Sequence, residues 1–223
     1  MESSSPNVAL HVRRFGDFAL AGVAFFAIVC IAAQFARSDL DWLRAPLSFY
    51  LLGDYGLIVK GAYFVLGATL MLLGIGYYRA LAMAARSGAP LLLFVSAGVA
   101  LDVVALADSD LKPGSASLEA FMHGLAANTA FLCVTTAMLL QAWRLRGDAL
   151  WRGRFAIAFA LAAVCFIAMW VHVLWREAPR GLTQKVVIAL ILAWLALAAS
   201  WLRRGASSSV VVLPDRSSEG ATP

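Results

Sequence analysis

An all-α integral membrane protein, folded as a single bundle of six transmembrane helices, is the fold class this sequence predicts. Three observations predict it. Six apolar stretches of about 20 residues, each long enough to cross a bilayer, are separated by short polar connections. The chain is 62% hydrophobic and only 14% charged, with a mean hydropathy of +0.81, whereas soluble domains carry roughly a quarter charged residues. The arginines concentrate in alternate connections, as membrane topology requires. The net charge of +5 therefore does not imply a nucleic-acid partner, because the basic residues sit between apolar runs and form no patch.

Residues 1–12 are polar and mixed, and are expected to be a disordered tail. The six-helix domain then covers residues 13–204. Its first span, about 15–36, follows Arg13 and Arg14; it is too long for a signal-peptide core and is read as a retained helix. The connection 37–56 holds Arg37, Asp39, Asp41, Arg44 and Asp54, with a break or re-entry point expected at Pro46-Leu47-Ser48. The second span, about 57–83, is rich in glycine, which in lipid permits close helix approach. The third, about 89–107, leads into an acidic connection with Pro113-Gly114 as its turn signal. The fourth, about 118–143, opens after Ser117 as a candidate cap and carries Glu119 in its first turn. The fifth and sixth are about 155–175 and 182–202, and residues 205–223 are expected to be a disordered C-terminal tail. Helices suit all six because their backbone polar groups are satisfied internally.

Six spans place both termini on one side. The N-terminus, the 79–90 turn, the 144–154 connection and Arg203-Arg204 share that side and hold most of the arginines, so it is expected to be cytoplasmic. The expected location is the cell's inner, or plasma, membrane, with the lipid bilayer as the first partner.

On that topology several polar residues fall in the exterior half. Asp102 lies about 8 Å below the outer end of the third helix at 1.5 Å per residue. His123 opens the fourth helix, and His172 closes the fifth. An ionised carboxylate at membrane depth costs about 2.5–3.5 kcal/mol, so it should be paired, protonated or hydrated. An outward-facing polar pocket is expected from Asp102, His123, His172, Arg44 and Arg176; the alternative for Asp102 is a buried residue that locks helix packing. No cofactor is called for. Zinc is the metal these side chains would suit, with Asp110, His123 and His172 as its candidate ligands, although no HxxxH or HExxH pair is present. The cysteines, Cys30, Cys133 and Cys165, lie in apolar runs without CxxC spacing and are read as small packing residues.

The order of the motifs carries a resemblance. Pro46-Leu47-Ser48 follows the first span, a Gly-rich second span comes next, the third ends in Ala107-Asp108-Ser109-Asp110, and the fourth opens with His123-Gly124-Leu125-Ala126-Ala127. Over about residues 15–203 this resembles the six-helix prokaryotic membrane family catalogued as domain of unknown function 998. That family's third span commonly ends in a Phe-Pro-Thr-Asp-Pro-like motif. Here Ser109-Asp110 matches Thr-Asp, while Asp108 and Leu111 stand where the prolines fall. The resemblance implies the fold and carries over Ser48, Asp110 and His123 as site positions, without implying an activity. A more distant similarity, to the alkaline ceramidase and progestin-receptor-like membrane hydrolases, extends to the inventory of Ser, Asp and His but not to their paired C-terminal histidines.

The function expected is therefore an integral membrane protein whose outward pocket binds a lipid, a small ligand or a membrane partner. The first alternative is a membrane-embedded, metal-dependent hydrolase of a lipid-derived substrate, with Asp110, His123 and Ser48 as candidate catalytic residues. The second is a small transporter or proton relay through Asp102, disfavoured by the absence of an internal repeat or broken helix. Oligomeric state is not legible in the sequence.

Overall fold

The computed structural model describes residues 6–107 and 117–208. Among them are six α-helices and no strand: α1 (Pro6–Ala36), α2 (Gly56–Ala80), α3 (Gly88–Leu106), α4 (Leu118–Leu145), α5 (Phe155–Leu174) and α6 (Arg180–Ser208). Each is long and apolar enough to cross a membrane. They form a ring: every helix packs on its neighbours in sequence, α6 closes on α1, and α2 also touches α6 across the middle. One end of the ring carries the 37–55 and 175–179 connections and is called the loop end. The opposite, basic end carries the 81–87 and 146–154 connections.

Glycines set the closest approaches. A Cβ on Gly98 would lie 2.7 Å from the Gly67 carbonyl oxygen, so α2 and α3 meet backbone to backbone. A Cβ on Gly16 would lie 2.7 Å from the Arg203 nitrogen, which brings α1 equally close to α6. Two helix ends depart from expectation. Residues 6–12, expected in a disordered tail, are helical, and α6 continues to Ser208, past the expected domain end at 204. Pro6 suits the first turn of a helix, and Val12 and Ala19 are buried. The second span ends at Ala80, short of the expected residue 83. Asp148, itself buried, takes over the backbone there: its carboxylate accepts from Ala82 N at 2.8 Å and from Leu150 N at 2.9 Å.

The basic end is closed by large side chains. Leu73, Phe94, Met138 and Trp194 are at most 2% exposed. Trp194 Nε1–H donates to the Ala158 carbonyl at 2.8 Å, and the Tyr77 hydroxyl donates to the Ala198 carbonyl at 2.9 Å, so both polar tips are satisfied in the core. Arginines stack on aromatic rings around this end, with Arg146 3.8 Å from the Trp143 ring centre and Arg154 4.6 Å from that of Trp151.

At the loop end the 37–55 connection folds back over the ring. Arg37 donates to the Leu52 carbonyl and to both Asp39 carboxylate oxygens, at 2.8 and 2.7 Å. The hydrogen bond to this guanidinium holds the Asp39 carboxyl below its ordinary range. After Pro46 the chain makes a 3-10 turn, Leu47–Leu51, in which Leu47, Ser48, Tyr50 and Leu51 are buried. The expected break at Pro46 is thus a return into the end of the bundle.

Candidate functional site

The ring is not filled at its loop end. A cavity of about 800 Å³ occupies that half, lined by all six helices and by Pro46 and Ser48 of the first connection. Its deep part is apolar, with Leu66 and Leu70 from α2, Ala97 and Leu101 from α3, and Ile191 and Leu195 from α6. Its mouth is polar, with Ser48, His123, His172, Arg176, Arg180 and Gln184. Along α6 the wall runs from Arg180 to Leu195, about 22 Å at 1.5 Å per residue. Phe94, Met138 and Trp194, buried toward the basic end, do not line it. The cavity also opens sideways: Asn128 and Leu132 on α4, and Trp170 and Val173 on α5, line it and are exposed as well. These two helices pack less closely than α3 and α4 do.

Each histidine is held by its Nδ1. The His123 Nδ1–H donates at 2.8 Å to the Ala107 carbonyl, which closes α3. A carbonyl only accepts, so this nitrogen carries the proton and a neutral His123 presents Nε2 as a lone pair. The bond ties the first turns of α4, capped by Ser117 Oγ on Ala120 N at 3.1 Å, to the end of α3. The His172 Nδ1 lies 2.7 Å from Thr183 Oγ1, which lies 3.2 Å from the carbonyls of Pro179 and Arg180. With the threonine proton directed to a carbonyl, His172 also donates from Nδ1 and keeps Nε2 as acceptor. Both imidazoles are buried.

The first turns of α6 bind the returning connection. Gln184 Oε1 accepts from Leu47 N at 2.8 Å, Leu182 N donates to the Leu43 carbonyl at 2.8 Å, and Lys185 Nζ donates to the carbonyls of Trp42 and Ala45. A Cβ on Gly181 would lie 2.5 Å from the Ala45 oxygen, so only glycine allows the connection to cross here. These contacts place Pro46 and Ser48 in the wall. Arg180 Nη1 donates to the His172 carbonyl at 3.3 Å and so stays at the mouth.

Of the residues expected in the pocket, His123, His172 and Arg176 line this cavity, together with Ser48, a candidate catalytic position. Asp102 and Arg44 do not line it. Asp102 turns toward α2, where its Oδ1 is buried without a hydrogen-bond partner and lies 2.5 Å from the position of a Cβ on Gly67. It makes no hydrogen bond or ion pair with His123, His172, Arg44 or Arg176. Arg44 is exposed and pairs with Asp41 at 3.7 Å. Asp110, with Asp108 and Ser109, lies outside the described residues. No group of three His, Cys, Asp or Glu side chains gathers around a metal position among the described residues. Ser48 is hydrogen-bonded to neither imidazole, whose Nδ1 atoms are bonded elsewhere. The three cysteines are free, Cys30 and Cys165 buried.

Arg180, Thr183, Gln184 and Lys185 are site or supporting residues that sequence reasoning passed over. A signal was available: Thr183-Gln184-Lys185 sets three polar residues together at the start of an otherwise apolar span.

Fold and site together define a multi-pass helical membrane protein with an amphipathic cavity within one half of its bundle. The chain belongs to the family described as a protein of unknown function, DUF998, whose model matches residues 20–201. No curated protein and no solved structure matches it.

Proposed function

We propose that this protein binds a membrane amphiphile within its bundle, with the apolar tail in the shaft and the polar head at the loop end. The observation that carries this reading is the gradient within one cavity, from the polar mouth at His123, His172 and Arg176 to the apolar depth at Leu70, Ala97 and Leu195. A volume near 800 Å³ falls in the upper range of ligand pockets, roughly 300–1,000 Å³. A water-soluble polar ligand would leave most of this wall unmatched. The exposed lining residues of α4 and α5 mark a route by which a lipid would enter from the bilayer. By the distribution of arginines the mouth faces away from the cytoplasm, with both termini cytoplasmic in the inner membrane. The hydrolase reading lacks comparable support, because Ser48 has no base bonded to it among the described residues.

The test is lipid retention. Wild-type protein and Ala97→Phe, which fills the shaft at a fully buried cavity position, are purified in the same non-ionic detergent. Native mass spectrometry then counts bound lipid. Wild type is expected to keep about one lipid through delipidation, and a monodisperse Ala97→Phe to lose it. Equal retention by the two, or none by wild type, would overturn the reading. Hydrolysis of the retained lipid would favour the enzyme instead.

A further inference from the structure

The mouth of the cavity is chemically one-sided. Its described wall contains two arginines and two histidines and no aspartate or glutamate. Two of the three carboxylates of the 37–55 connection are engaged away from the wall, Asp39 with Arg37 and Asp41 with Arg44 and Leu43 N, and the third, Asp54, does not line it. No ion pair to Arg176 or Arg180 occurs among the described residues. Arg176 makes no side-chain hydrogen bond there either, and Arg180 spends one N–H on the His172 carbonyl and keeps the rest. Two guanidinium groups thus stand four residues apart at the rim of an apolar shaft, neither paired with a carboxylate among the described residues. The guanidinium fork matches carboxylate and phosphate oxygens bidentately, and it binds them best where water is partly excluded. The Ser48 hydroxyl, in the same wall, has no hydrogen-bond partner among the described residues and can donate to an anionic oxygen.

We infer that the amphiphile this cavity selects is anionic, a lipid whose head carries a phosphate or carboxylate held by Arg176 and Arg180. The inference rests on the lipid-binding reading and specifies the headgroup. A zwitterionic lipid is discriminated against because its cationic group enters a mouth whose described wall holds arginines and no carboxylate. The arginines act as headgroup-binding residues, and the tail contributes affinity common to all lipids in the shaft.

The experiment titrates detergent-solubilised protein with phosphatidylglycerol, phosphatidylcholine and oleate, reading one-lipid occupancy by native mass spectrometry. Wild type is expected to bind at least one of the two anionic lipids about tenfold or more tighter than phosphatidylcholine, as one or two charge-assisted hydrogen bonds would give. Preference for phosphatidylglycerol alone assigns a phosphate head, and preference for oleate alone a carboxylate; either supports the inference. In Arg176→Gln/Arg180→Gln the ratio should fall to about twofold or less, with phosphatidylcholine binding unchanged. Arg176→Gln by itself, at an exposed position with no bonded side-chain partner, gives part of that loss if the double variant does not fold. Arg44→Gln, at the same end but outside the wall, should keep the full ratio. Equal binding of all three lipids, or equal loss in Arg44→Gln, would overturn the inference and leave the lipid-binding reading standing. Failure of every lipid to bind would overturn that reading itself.

Discussion

The contact between Gly67 and Asp102 makes a quantitative prediction about what Asp102 does. A methyl at Gly67 would meet Asp102 Oδ1 at 2.5 Å and the Gly98 carbonyl oxygen at 3.0 Å. Both are closer than side-chain carbons pack, so α2 and α3 must separate or the carboxylate must turn away. Overpacking of this kind costs about 1–3 kcal/mol. Asp102 itself has a buried oxygen with no partner, and an unsatisfied buried acceptor costs about 1–3 kcal/mol. Asp102→Ala is therefore expected to be neutral or stabilising. In Gly67→Ala/Asp102→Ala the shorter clash is gone and only the Gly98 oxygen stays tight, so the pair should be less destabilised than the sum of the singles. A coupling of about 0.5–3 kcal/mol is the range for residues in direct contact. Unfolding free energies measured by steric trapping in bicelles provide the assay. Additive singles would refute the packing argument. Loss of about 3–5 kcal/mol in Asp102→Ala, the size seen when a buried ion pair is broken, would show that Asp102 is paired.

Two further outcomes test the two ends of the bundle. Asp148→Ala removes two charge-assisted bonds to Ala82 N and Leu150 N, each worth about 1.5–3 kcal/mol; it should lower the thermal midpoint in detergent, and Asp148→Asn, which keeps one acceptor oxygen, should lower it less. Lys185→Met leaves the carbonyls of Trp42 and Ala45 without their ammonium donor; backbone hydrogen exchange over residues 42–48 should quicken while that of α2 and α3 stays slow, and unchanged exchange would assign the docking to Gln184 and Leu182 alone.

Much of the fold was legible because the bilayer imposes it. A run of about 20 apolar residues bounded by arginines has few alternatives to a spanning helix, and five of the six helices start within two residues of the expected span. The first did not, because Arg13-Arg14 reads as the boundary of a span while α1 continues through the pair back to Pro6. The site was legible in part. Polar residues isolated in apolar helices identified His123 and His172, and Pro46-Leu47-Ser48 identified the returning connection. Asp102 fitted the same rule yet faces the glycines of α2, because one helix position can point to a neighbour or to a cavity, and 100° of rotation per residue decides which. Arg180 and Gln184 were passed over because they open a span and read as its boundary.

The sequence by itself determined six membrane-crossing helices, the concentration of arginine at one end and the family, since each depends on local composition and order along the chain. Only the tertiary structure decided that Phe94, Met138 and Trp194 are buried toward the basic end while a cavity occupies the loop-end half. It also decided that Arg176 and Arg180 share one mouth without a carboxylate among the described residues. Those outcomes depend on how large and small side chains from six separate helices meet at each depth, and no single helix carries that information.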